Sequence, residues 1–150
     1  MRTGVYMVLS SKKKFTTVVV FSLLMLMTTT AVSIAQSDSD SQWINSATSY
    51  VPVLVIDIKL CQNAIDNNDM NALSTSGNKM YNDCYNGLQQ SNSIQVTIQI
   101  QSIKQLYNTC LTHCMNAGYD FHNNDPSSGV SEMNQGRASL DQLKQALQHI

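Results

Sequence analysis

The sequence predicts an all-α fold, an antiparallel four-helix bundle stapled by two disulfides after an N-terminal signal peptide. Three observations carry that prediction. Apolar residues recur at intervals of three and four in successive segments, the spacing that lines up one buried helix face. The connections between segments are short and rich in Asn, Asp and Ser, which sets consecutive helices antiparallel. Four cysteines, Cys61, Cys84, Cys110 and Cys114, all fall on the apolar stripes.

The N-terminus comes first in the chain and fixes the compartment. Arg2, Lys12, Lys13 and Lys14 precede a charge-free stretch from Phe15 to Ser37, whose core FTTVVVFSLLMLM exits through Ser33-Ile34-Ala35. A basic start, an apolar run and a small-x-small exit make up a secretory signal peptide, so residues 1–35 are expected to be removed. The alternative is an uncleaved transmembrane anchor, since about 20 apolar residues suffice to span a bilayer. The basic flank places the C-terminal part outside in both cases.

Residues 36–43 read as a flexible polar leader and residues 44–150 as the bundle domain. The first stripe is Ile44, Ala47, Val51, Leu54, Ile58, Cys61 and Ile65. Pro52 lies within it and is expected to start the helix proper or to kink it. Asp66-Asn67-Asn68-Asp69 forms a turn that caps a second stripe, Met70, Leu73, Gly77, Met80, Cys84 and Leu88. A third stripe, Val96, Ile100, Ile103, Tyr107, Cys110 and Cys114, follows Ser91-Asn92-Ser93. Its opening, IQVTIQIQ, also alternates as a half-buried strand would. The helical stripe covers the longer span, so helix is predicted. Tyr119 to Ser128 reads as the longest loop, and a last helix carries Val130, Met133, Leu140, Leu143, Leu147 and Ile150. Gly136 is expected to break it, with Ser139-Leu140-Asp141-Gln142 restarting it as a capping box.

An even number of cysteines in an oxidising compartment predicts disulfides rather than a metal site, because only one close pair exists where structural zinc usually needs two. Cys61 lies about 9 Å before the first turn and Cys114 about 6 Å before Gly118, at one end of the bundle. The expected pairs are therefore Cys61–Cys114 and Cys84–Cys110. A bridge from Cys110 to Cys114 within one helical turn has poor geometry.

Composition narrows function by exclusion. Beyond Ala35 the chain has five Lys/Arg against ten Asp/Glu and no basic patch, so nucleic acid has no electrostatic hold. Asn and Gln make up 27 of those 115 residues and Glu only one, Glu132. No Asn-x-Ser/Thr acceptor occurs, and neither does a nucleophile elbow, a zinc-protease helix or a phosphate loop. No catalytic residues, cofactor or metal are predicted. His113, Cys110, Cys114 and Met115 are the only soft ligands close in sequence. They underlie the alternative of a small-ligand, metal or haem carrier in the bundle interior.

The candidates for partner contact are aromatic residues with a polar handle: Trp43, Tyr50, Tyr81 and Tyr85. An exported helical bundle with two disulfides resembles, in general plan, the plant invertase and pectin methylesterase inhibitors. Their cysteines pair close together near the N-terminus, and the 61/84/110/114 spacing departs from that, so no residue is carried over. The reading is an exported, non-catalytic interaction or structural module at the cell surface. Its partner is an unknown protein or cell-envelope component, with membrane contact only through an uncleaved N-terminal segment.

Overall fold

A computed structural model describes residues 37–148. They form four helices and no strand: α1 (Asp38–Asp66), α2 (Met70–Ser93), α3 (Ile98–His122) and α4 (Pro126–Leu147). The segment read as signal peptide or anchor, residues 1–35, lies outside the described residues.

Helix α1 begins six residues earlier than the apolar stripe suggested, and so absorbs most of the supposed leader. The Ser37 side chain accepts a hydrogen bond from the Asp40 amide at 3.2 Å, and Asp38 and Asp40 sit in the first turn. A capped N-terminus with acids beside it is stabilised by satisfying free amides and by the helix dipole. The buried stripe then starts at Trp43 rather than Ile44 and runs through Ala47, Val51, Leu54, Ile58 and Cys61. Pro52 neither starts nor ends the helix. It sits on the exposed side, where the carbonyl that loses its helical partner can bond to water.

The links are three or four residues long. Asn68 and Asn124 take positive φ of 53° and 61°, a region that Asn tolerates better than most residues. Asp69 then caps α2 through the Ala72 amide at 2.9 Å, and Asp125 caps α4 through the Ser128 amide at 3.1 Å, ahead of Pro126. The long loop predicted from Tyr119 to Ser128 is only Asn123–Asp125, because α3 continues to His122.

The alternating stretch IQVTIQIQ splits in two: residues 94–97 are the link and α3 starts at Ile98. Thr97, the N-cap residue, makes no side-chain cap bond. Its amide and hydroxyl instead donate to the two carboxylate oxygens of buried Asp40, at 2.8 and 2.7 Å. The first turn of α1 thus clamps the α2–α3 link. Lys104 completes the link by donating to the Ile94 carbonyl at 2.5 Å.

Helix α3 is the central element, packed against α2 on one side and α4 on the other, while α1 rests mainly on α2. Two glycines set the closest approach. A Cβ on Gly118 would lie 2.6 Å from both the Gly77 carbonyl oxygen and the Tyr81 amide nitrogen. The backbones of α2 and α3 therefore touch, and only glycine fits. Gly136 has a similar role between α3 and α4. It was expected to break α4, yet the helix runs through it, and the place of its Cβ is taken by Cys114 Sγ, which would lie 2.5 Å away. The restart at Ser139 is not needed.

Candidate functional site

The four cysteines converge from three helices and are buried to 1% exposure or less. All four are free thiols in this structure. Cys110 Sγ donates to the Gly136 carbonyl at 3.3 Å. Cys84 and Cys110 both have Cys114 as a neighbour, and its proximity together with burial pushes the Cys84 and Cys110 thiols up. Cys114 moves the other way: its contacts with Cys110 and Cys84 outweigh burial and pull its thiol down to about 4. Burial, helped by nearby Asp57, pushes the Cys61 thiol up to about 12. Cys61, Cys84 and Cys110, held protonated, are poor nucleophiles, and Cys114 is sealed from solvent at 0% exposure. Among the described residues, no three His, Cys, Asp or Glu side chains are arranged to hold a metal ion.

Beside the thiols lies a buried carboxylate. Asp57 has no exposed side-chain surface, and its Oδ1 accepts from Lys79 Nζ at 2.5 Å. Lys79 also bonds Asp83 at 2.6 Å. Asp57 Oδ2 has no hydrogen-bond partner among the described residues. Burial raises the Asp57 pKa despite the lysine, whereas the bonds from Asp57 and Asp83 raise that of Lys79. Desolvation thus outweighs pairing at Asp57.

The four residues singled out for partner contact separate into two classes. Trp43 is fully buried, and its indole N–H donates to Ser91 Oγ at 3.0 Å. It stands edge-on to Tyr107, with ring centroids 5.7 Å apart. Tyr50 is half-buried and donates from its hydroxyl to the Asp83 carbonyl at 2.5 Å. Its position also explains Gly87, whose Cβ would meet the Tyr50 ring at 2.9 Å. These two are packing residues. Tyr81 and Tyr85 instead reach the surface, their rings nearly parallel with centroids 6.4 Å apart, and Tyr119 of α3 joins them at 6.3 Å from Tyr81. Tyr85 and Tyr119 are 46% and 58% exposed.

The tyrosines continue into a surface that residue types alone did not single out. Between Ile98 and Tyr119 no exposed residue of α3 is charged. Its outer face presents Gln101, Gln105, Thr109, Thr112, Asn116 and Tyr119. A depression of about 310 Å³ lies on this face, lined by Gln105, Asn108, Thr109, Thr112 and His113. His113 is held at its edge by Glu132 of α4, Nδ1 to Oε2 being 2.7 Å. The 3-4 spacing of these polar positions was available in the sequence, as the complement of the Cys110–Cys114 stripe.

No family model, curated protein or solved structure matches this chain.

Proposed function

We propose that this chain is an exported, non-catalytic helical module that works by surface contact with a protein or cell-envelope partner. In its working form residues 1–35 are removed and two disulfides, Cys61–Cys114 and Cys84–Cys110, tie α1 and α2 to α3. The observation that carries this reading is where the reactive groups lie. The four thiols and the Asp57 carboxylate are buried in a packed core, while exposed charged groups such as Asp66, Asp69, Lys59 and Asp125 are dispersed among amides, hydroxyls and tyrosines. Catalysis requires positioned, titratable groups that substrate can reach.

The thiol neighbourhood supports the pairing. Cys61 has Cys114 beside it, and Cys84 has Cys110 as well as Cys114. Joining Cys84 to Cys114 would leave Cys61 to pair with Cys110, whereas the thiol that acts on Cys61 is Cys114. Oxidising all four therefore favours Cys61–Cys114 together with Cys84–Cys110. The alternative of an interior ligand carrier gains no support, because Trp43, Phe121, Leu73, Met80 and Met133 fill the space between the helices.

The test is to recover the protein from the medium of secreting cells, measure its intact mass and titrate thiols under denaturant. A mass starting at Gln36 with no free thiol is expected. Material retained in membranes with residues 15–35, or four free thiols in secreted protein, would overturn the reading.

A further inference from the structure

We propose that the outer face of α3, with its tyrosine cluster, is a binding face for a neutral glycan chain. The inference deepens the reading above, on which it rests, by naming the class of envelope partner.

Charge is the first argument. No exposed side chain of α3 from Ile98 to Tyr119 is charged, and Glu132 at the edge of the face is bonded to His113, so anionic and cationic polymers, whose binding depends on ion pairing, find little hold. The second argument is the set of groups that remain. Amides and hydroxyls both donate and accept, as sugar hydroxyls require. From Gln101 to Tyr119 they extend for roughly 27 Å at 1.5 Å per residue. The third is the aromatic end. Sugars carry apolar C–H faces that stack on exposed rings, and here the Tyr81 ring has Tyr85 at 6.4 Å and Tyr119 at 6.3 Å, centroid to centroid.

A protein partner fits less well. Protein interfaces centre on large apolar, aromatic or arginine anchors that become fully desolvated. Here Ile98, at the helix start, is the one large aliphatic side chain of α3 that is exposed, and the face from Gln101 to Asn116 has none. The depression beside His113, about 310 Å³, is at the lower edge of ligand-binding volumes and suits one or two sugar units of a longer chain. The Glu132 bond at 2.7 Å fixes the His113 ring there, so its other nitrogen is presented in a set direction rather than rotating freely.

The experiment is calorimetric titration of the full secreted, oxidised protein with neutral hexasaccharides of β-linked glucose and of β-linked N-acetylglucosamine. At least one should bind, with a Kd that does not change between low and high salt. Tyr85→Ala and Tyr119→Ala should each weaken binding about tenfold, and Tyr119→Phe should leave it nearly unchanged because the ring remains. Lys59→Ala, on the exposed side of α1, should have no effect. Intact mass and thiol content read on the same sample separate failure of this inference from failure of the exported, disulfide-bonded reading. Folded wild-type protein that binds neither hexasaccharide would overturn the proposal. So would binding abolished by salt, binding indifferent to both tyrosine-to-alanine variants, or capture of a protein through Tyr85 and Tyr119 with no glycan bound.

Discussion

Replacing Gly118 with alanine should destabilise the bundle, although alanine is the better helix former. The propensity gain in a helix interior is about 1 kcal/mol. Against it stands a methyl group placed 2.6 Å from the Gly77 oxygen and from the Tyr81 nitrogen, both backbone atoms. Neither can swing away as a side chain would, so α2 and α3 must separate. A gap of about 0.5–1 Å forfeits a quarter to a half of each dispersion contact along the seam. Overpacking of this kind costs about 1–3 kcal/mol and occasionally more. With the gross cost at the upper end, the net loss is about 2 kcal/mol, or roughly 8 °C in Tm for a domain of this size. Gly87→Ala is the internal control, because its Cβ would meet the Tyr50 ring and a Leu111 methyl at 2.9 to 3.1 Å. Those side chains are able to shift, so the loss should be smaller. Urea and thermal unfolding of the oxidised proteins, followed by circular dichroism, would measure both. A Gly118→Ala protein as stable as wild type, or more so, would refute the claim that the two backbones touch.

Further outcomes follow from other contacts. Peptide mapping without reduction should recover Cys61 linked to Cys114 and Cys84 to Cys110. Reduction should then lower stability by about 3–4 kcal/mol per bridge in the loop-entropy model. The Asp57 carboxyl, whose pKa burial raises above 3.8, binds its proton more readily in the folded protein. Its contribution should make stability fall as pH rises from about 3.8 through the raised folded value, and Asp57→Asn should remove that slope in pH-dependent urea titrations. Lys79→Ala leaves Asp57 buried without its cation. Because the lysine is half exposed, about 2 kcal/mol is expected by equilibrium unfolding, short of the 3–5 kcal/mol of a fully buried pair. Asp40 has the opposite sign. Burial raises its pKa, but the Thr97 and Ser37 hydrogen bonds outweigh that and lower it. Its stabilisation should therefore be present above pH 3.8 and lost as the pH falls through the folded value. Asp40→Asn should flatten that acid limb.

The helices were legible because their buried faces are nearly unbroken apolar stripes. Cys61, Cys84, Cys110 and Cys114 sit on those stripes and are all buried, as the spacing predicted. What misled was local chemistry whose meaning depends on a distant partner. Gly136 has the propensity of a helix breaker, yet it serves the thiol of Cys114 across the α3–α4 seam. The polar residues 38–42 lacked a stripe, so the Ser37 cap and the docking of Asp40 on Thr97, 57 positions away, went unseen. Trp43 and Tyr50 carry the same polar handle as Tyr81 and Tyr85, and residue type alone could not divide them. Their hydrogen bonds to Ser91 and to the Asp83 carbonyl do so. The uncharged face of α3 was missed for a related reason: a chain so rich in Asn and Gln makes any one polar face look ordinary until exposure is mapped.

The single tryptophan gives this bundle a built-in optical gauge. Trp43 is the chain's only indole, sealed from water and bonded to Ser91, which in turn donates to Asn108 at 2.7 Å. Its emission reports on one event, the closing of the N-terminal end of α1 over α2 and α3. A blue-shifted band that moves red before helical ellipticity is lost would reveal an opening confined to that end. Coincident changes would mean that the clamp and the rest of the domain melt as one cooperative unit. Fluorescence and circular dichroism recorded on one cuvette are therefore enough to tell whether this end of the molecule opens on its own.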